Sequence, residues 1–103
     1  MPAKIPIDRE ALAAFCQKHR IRRLSLFGSV VRDDFDPKRS DVDVLVEFEP
    51  GVERGMTYFR LAGIQQELSE LFGRSAEVVL ASSLDRYLRQ DILNTAEVQF
   101  DAA

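Results

Sequence analysis

The chain has 103 residues, 46% hydrophobic and 30% charged, with 14 Lys and Arg against 17 Asp and Glu and a net charge of −3. That suffices for one compact domain over residues 1–103 with a single core, and the acidic balance disfavours direct nucleic-acid binding, which needs a basic face. The lone Cys16 rules out an internal disulfide and fits a reducing, cytoplasmic setting; no apolar run approaches a membrane span, and no secretory leader is visible.

Residues 1–7 carry two prolines and read as a loose lead. Asp8 is an N-cap for a first helix, in which Leu12, Phe15, Cys16 and His19 recur at helical spacing and turn inward. Lys18, His19, Arg20, Arg22 and Arg23 close it with a basic cluster. Its plain reading is cations complementing a helix C-terminus; the other is a docking patch for an acidic partner or RNA, RNA being weaker for want of interleaved aromatics. Leu24 to Phe27 form a strand that breaks at Gly28-Ser29, where a turn and a short helix are expected. Asp33, Asp34 and Asp36 follow Arg32 in an acidic loop and read as solvated surface, the alternatives being further metal ligands or, for Asp33 or Asp34, an ion pair that holds Arg32.

Asp41 to Phe48 form the second strand, apolar enough to be central, and Pro50-Gly51 stops it. Thr57 caps a helix whose Leu61, Ile64, Leu68 and Leu71 make a core-facing stripe, with Gly73 as its stop. A helix joining two strands predicts a right-handed crossover, so Ala76 to Leu80 should lie parallel to Asp41–Phe48. Ser82 or Ser83 caps a last helix carrying Leu84, Leu88, Ile92 and Leu93, and the alternation of Ala96, Val98 and Phe100 predicts a closing strand. The element order predicts an α/β (α+β) fold, a small mixed sheet flanked by helices.

The chemistry concentrates between Leu26 and Phe48. Side chains alternate along a strand, so Asp41 and Asp43 share a face with Cα atoms roughly 7 Å apart, while Val42, Val44, Val46 and Phe48 face a core. Two carboxylates on one face repel unless a cation lies between them. Mg²⁺ suits such a pair, since it takes one or two carboxylates and completes its shell with water and substrate phosphate oxygens. Two such ions can clamp the attacking and leaving oxygens of a nucleotidyl transfer. The plain alternative is a pair of solvated polar-face residues. Gly28 permits close backbone approach and unusual torsions, Ser29 offers a hydroxyl, and free N–H groups at a following helix start would form an anion site, with Arg32 adding positive charge. Gly-Ser alone is weak; Gly-Ser after an apolar strand, then Arg, then Ser-Asp-Val-Asp heading another apolar strand is much stronger.

This arrangement, GSxxR followed by SDxDxLVEF, resembles the minimal nucleotidyltransferases of the DNA polymerase β superfamily, and most closely the stand-alone antitoxins that accompany HEPN-domain toxins. The resemblance runs from the first helix to the last strand. It implies the nucleotidyltransferase fold, ATP as substrate, Mg²⁺ (two ions), and AMP transfer to a hydroxyl, in the antitoxins a tyrosine of the HEPN toxin with which a hetero-oligomer forms. Carried onto this chain, it implies that Asp41 and Asp43 hold metal, that Gly28, Ser29 and Arg32 seat the nucleotide, and that Glu77 serves as general base or shares a metal. Two departures stand out. The loop from Gly-Ser to the first Asp is one residue longer than the usual pattern, and Glu77, in Ala76-Glu77-Val78-Val79, replaces the usual third Asp with a side chain one methylene longer. These departures keep open a non-enzymatic antitoxin that acts by binding alone. A transferase for small molecules is a further reading, although such relatives generally carry an added helical domain.

Overall fold

The computed structural model describes residues 7–28 and 41–102, and the account below concerns these. Their order is helix α1 (Arg9–Lys18), strands β1 (Ile21–Phe27) and β2 (Val42–Phe48), helix α2 (Tyr58–Phe72), strand β3 (Ala76–Leu80), helix α3 (Arg86–Thr95) and strand β4 (Glu97–Asp101). The strands form one mixed sheet in the order β3-β2-β1-β4. β1 is antiparallel to both β2 and β4, and β2 is parallel to β3 across the α2 crossover. The expected architecture is therefore present, with β2 central.

The core lies on one face of the sheet. Val42, Val44 and Val46 are fully buried there and Phe48 nearly so, with Leu24 and Leu26 of β1 beside them. Leu12, Phe15 and Cys16 of α1 and Ile64, Leu68 and Phe72 of α2 close the same cluster. Thr57 and Gly73 bound α2 as expected: the Thr57 hydroxyl accepts from Arg60 N at 3.1 Å, and Gly73 takes a left-handed φ of 72°. Asp8 caps α1 by accepting from Ala11 N. Burial pushes the Cys16 thiol up to about 12 by withholding solvation from the thiolate. At pH 8 iodoacetamide should therefore label folded Cys16 on the order of a thousandfold more slowly than the urea-unfolded chain. Equal rates would mean that α1 is not packed on the sheet.

Three local expectations are corrected. β1 begins at Ile21 rather than Leu24, because Arg22 is an extra residue between the pairs Ile21↔Phe48 and Arg23↔Glu47. This bulge re-phases the strand so that Ile21, Leu24 and Leu26 all face the core. α3 is capped by Asp85, whose Oδ1 accepts from Tyr87 N and Leu88 N at 3.0 Å, whereas Ser82 and Ser83 belong to a preceding 3₁₀ turn. The alternation in β4 is interrupted, since Leu24 pairs with Phe100 and Ser25 with Val98, leaving Gln99 as the extra residue.

The basic cluster is spent within the molecule. Arg22 and Arg23 reach Glu47 at 3.0 and 3.5 Å, Arg20 reaches Glu49 at 3.3 Å, and Arg23 also reaches Asp101 at 3.4 Å. Lys18 and His19 both contact Glu67 at 3.1 Å, tying the end of α1 to α2. Hydrogen bonds from His19 and then from Lys18 hold the Glu67 carboxyl below its ordinary value of 4.5. A lowered carboxylate stabilises the fold above its unfolded pKa, and that contribution disappears as pH falls through the folded value. The group is solvent-exposed, so the effect is about 1 kcal/mol or less. Glu67→Gln should therefore lower the Tm by a few degrees at pH 7, with the difference from wild type closing in acid below pH 4.5, as a pair of thermal melts would show.

Candidate active site

Asp43 lies at the crossing point of three strands. Its Cα is paired with Phe27 at the end of β1 on one side and with Glu77 of β3 on the other. In a parallel pair, residues in register point to the same face, so the Asp43 and Glu77 side chains share the face opposite the helix-covered core. Asp41 stands just ahead of β2, exposed, and two residues from Asp43. The strand begins one residue later than expected, at Val42, whose N–H donates to Ser75 O at 2.9 Å and so ties the β2 entrance to the chain entering β3. Farther along the same face, Leu45 and Ser25 are buried against each other in register, and Glu47 is engaged by its two arginines. The acidic end of β2 is thus separated from Glu47 by a buried step.

Gly28 follows β1 directly and is held at φ +75°, a conformation that L side chains rarely adopt. A Cβ at this position would collide with Asp43 Oδ2 and lie 3.3 Å from its Cγ. The glycine is therefore required twice, by its backbone and by the carboxylate that occupies the space above it. The end of β1 at Gly28 thus lies against Asp43. Ser29 and Arg32, expected beside Gly28, and Asp33, Asp34 and Asp36 lie outside the described residues.

On the β3 side, a cleft of about 380 Å³ opens between the start of α2 and the sheet edge. Asp41, Ser75, Glu77 and Val78 line it from the sheet, and Tyr58, Leu61, Ala62 and Gln65 line it from α2. Sequence reasoning did not reach Tyr58 or Gln65. The signal was two adjacent aromatics, Tyr58-Phe59, at a helix start and off the buried Ile64-Leu68 stripe. Both are largely exposed and meet edge to face at 6.3 Å.

Among the described residues, no three His, Cys, Asp or Glu side chains are gathered closely enough to form a metal-binding group. The structure aligns Asp41, Asp43 and Glu77 at one end of the sheet, and it does not close them into a ready-made cage. Such an open carboxylate set differs from a structural metal centre, in which the protein supplies every ligand.

Comparison with known proteins agrees with this geometry. The family model for the nucleotidyltransferase domain matches residues 8–98. The chain is 35% identical over 79 residues to a Methanocaldococcus jannaschii protein named "Putative protein adenylyltransferase MJ0435", covering 77% of this chain and 80% of that protein. A solved structure described as a "putative minimal nucleotidyltransferase" superposes with a TM-score of 0.68 at 34% identity, covering 85% of both chains. The fold alone is shared, at 14% identity and a TM-score of 0.64, with a chain from the complex of the tri-AMPylated Shewanella oneidensis HEPN toxin with its MNT antitoxin, covering 90% of this chain and 69% of that one. The acidic strand entrance, the glycine packed against it and a family match over nearly the whole length lead to one conclusion: this chain belongs to the nucleotidyltransferase domain family.

Proposed function

We propose that this nucleotidyltransferase transfers AMP from ATP to a protein hydroxyl, the tyrosine of a HEPN-type toxin, and thereby acts as an antitoxin. The observation that carries this reading is the position of Asp43, in register with Glu77 on one flank and packed against Gly28 on the other. The relatives supply the direction, one named "Putative protein adenylyltransferase" and one solved as an MNT antitoxin with a tri-AMPylated HEPN toxin.

In this reading Asp41 and Asp43 hold Mg²⁺, which when bound neutralises phosphate charge at the reacting end of the nucleotide. Gly28 and Ser29 seat the triphosphate, with Arg32 in support. Glu77 accepts the proton of the incoming hydroxyl, directly or through one water, as a carboxylate can at hydrogen-bond reach. Positioning and charge neutralisation supply most of the rate gain.

The test is incubation of the purified protein with ATP, Mg²⁺ and a HEPN-type toxin, followed by intact-mass spectrometry. Gain of one or more AMP masses on the partner, lost with Asp41→Ala, supports the reading. A stable complex without added mass would point to neutralisation by binding alone and would sink AMP transfer.

A further inference from the structure

Glu77 stands on the least supported backbone of the acidic set. Asp43 lies in central β2, paired with β1 on one side and β3 on the other. Glu77 lies in β3, a five-residue strand at the edge of the sheet whose strand neighbour is β2 alone. Its side chain is exposed, and among the described residues no hydrogen bond or ion pair holds its carboxylate. The backbone therefore sets where that carboxylate stands, and an edge strand leaves half of its peptide groups without a strand partner.

Helix α2 supplies what the sheet lacks. Val78 N donates to Gln65 Oε1 and Ala76 N donates to Ser69 Oγ, each at 2.9 Å. These two residues flank Glu77. Successive residues along a strand turn their peptide groups to opposite edges, so with Ala76 and Val78 turned outward, Glu77 is turned towards β2. Ser75, two residues earlier, is turned the same way and accepts from Val42 N at 2.9 Å. Glu77 is thus held in register with Asp43 from the inside and braced on both sides from the outside.

The fit comes from two repeats. Gln65 and Ser69 are four residues apart on one face of α2, over which a helix advances about 6 Å. Ala76 and Val78 are two residues apart, over which a strand advances about 6.6 Å. Because helix and strand run in opposite directions, Gln65 meets Val78 and Ser69 meets Ala76. Ser69 is itself oriented: its hydroxyl proton goes to Gln65 O at 2.9 Å, which leaves a lone pair for Ala76 N. All three bonds are partly buried, so water does not fully replace a lost acceptor.

Resting on the AMP-transfer reading above, in which Glu77 is the general base, we propose that Gln65 and Ser69 are positioning residues for Glu77. They act through the backbone N–H groups on either side of it and touch neither substrate. Without them β3 keeps its bonds to β2 but gains freedom at its outer edge, and the base wanders from the hydroxyl it must reach.

The test is a double-mutant cycle on steady-state AMP transfer from ATP to a HEPN-type toxin. Gln65→Met and Ser69→Ala each remove one acceptor and keep strong helix formers in α2, so circular dichroism should show both folded. Each should lower kcat about tenfold and leave KM for ATP unchanged, since a base displaced by a fraction of an ångström loses part of its effect. In a Glu77→Gln background the same substitutions should cause no further loss, because no base remains to be misplaced. Amide exchange at Val78 should quicken in Gln65→Met. The same tenfold loss in both backgrounds would mean that the two side chains serve packing alone and would overturn the proposal, as would unchanged kcat or unchanged exchange. Absence of transfer by the wild type, or full activity of Glu77→Gln alone, would be a different failure: it would remove the AMP-transfer reading or the role of Glu77 in it, and this proposal with it.

Discussion

Asp43→Ala should abolish AMP transfer, lowering the rate by about a thousandfold or more, while the protein stays folded. The magnitude follows from the type of group removed, since charge stabilisation placed at a reacting phosphate is among the largest single contributions to such catalysis. Retention of the fold follows from register. β2 is held through its backbone to β1 and β3 on both sides, and its core anchors Val42, Val44 and Val46 point away from the carboxylate. Asp41→Ala should behave alike, with even less structural consequence, because Asp41 is exposed and precedes the strand. Intact-mass measurement of the partner checks activity, and a thermal melt checks the fold. Full transfer by the double variant would remove these residues from the chemistry. Loss of transfer with neutralisation of the toxin retained in cells would separate catalysis from binding.

Gly28→Ala should reduce both stability and activity. A left-handed φ costs an L-residue about 1–2 kcal/mol, and here the new methyl also meets Asp43 Oδ2. A loss of about 1–3 kcal/mol corresponds to a Tm lower by at least several degrees for a domain of this size. The methyl can be accommodated only if the Asp43 carboxylate or the turn moves. Misplacing a catalytic group by about 1 Å costs on the order of a hundredfold in rate. Assays well below the lowered Tm, where the variant is fully folded, distinguish this from simple unfolding. Wild-type activity there would show that the glycine serves the backbone alone and that the position of Asp43 is not critical.

Much of the fold was readable because its signals are local. The spacing of Leu12, Phe15 and Cys16, the Thr57 and Gly73 boundaries and the apolar run after Asp43 each depend on a few neighbouring residues, and each appears where expected. The parallel placement of β3 followed from the helix between two strands, because a crossover leaves few topologies open. Bulges and caps were less legible. Arg22 and Gln99 become extra residues only through the register of a partner strand, and Asp85 outcompetes Ser82 and Ser83 as the cap only once the 3₁₀ turn has used those residues. The basic cluster looked available for a partner in sequence, yet Glu47, Glu49, Glu67 and Asp101, distant in the chain, neutralise much of it.

By itself the sequence determined which residues come together: two aspartates at alternate positions of a strand entrance, with Gly28 ahead of them, and a glutamate in the strand that had to lie alongside. Side-chain alternation and crossover handedness are properties of any L-polypeptide, so these conclusions needed no coordinates. Only the tertiary structure decided why Gly28 must be glycine, since the group that fills the space above it comes from β2. Only the tertiary structure joined Tyr58 and Gln65 to Asp41 and Glu77 in one cleft, because that wall is built by packing a helix against a sheet edge, and no spacing within the helix encodes what it will face.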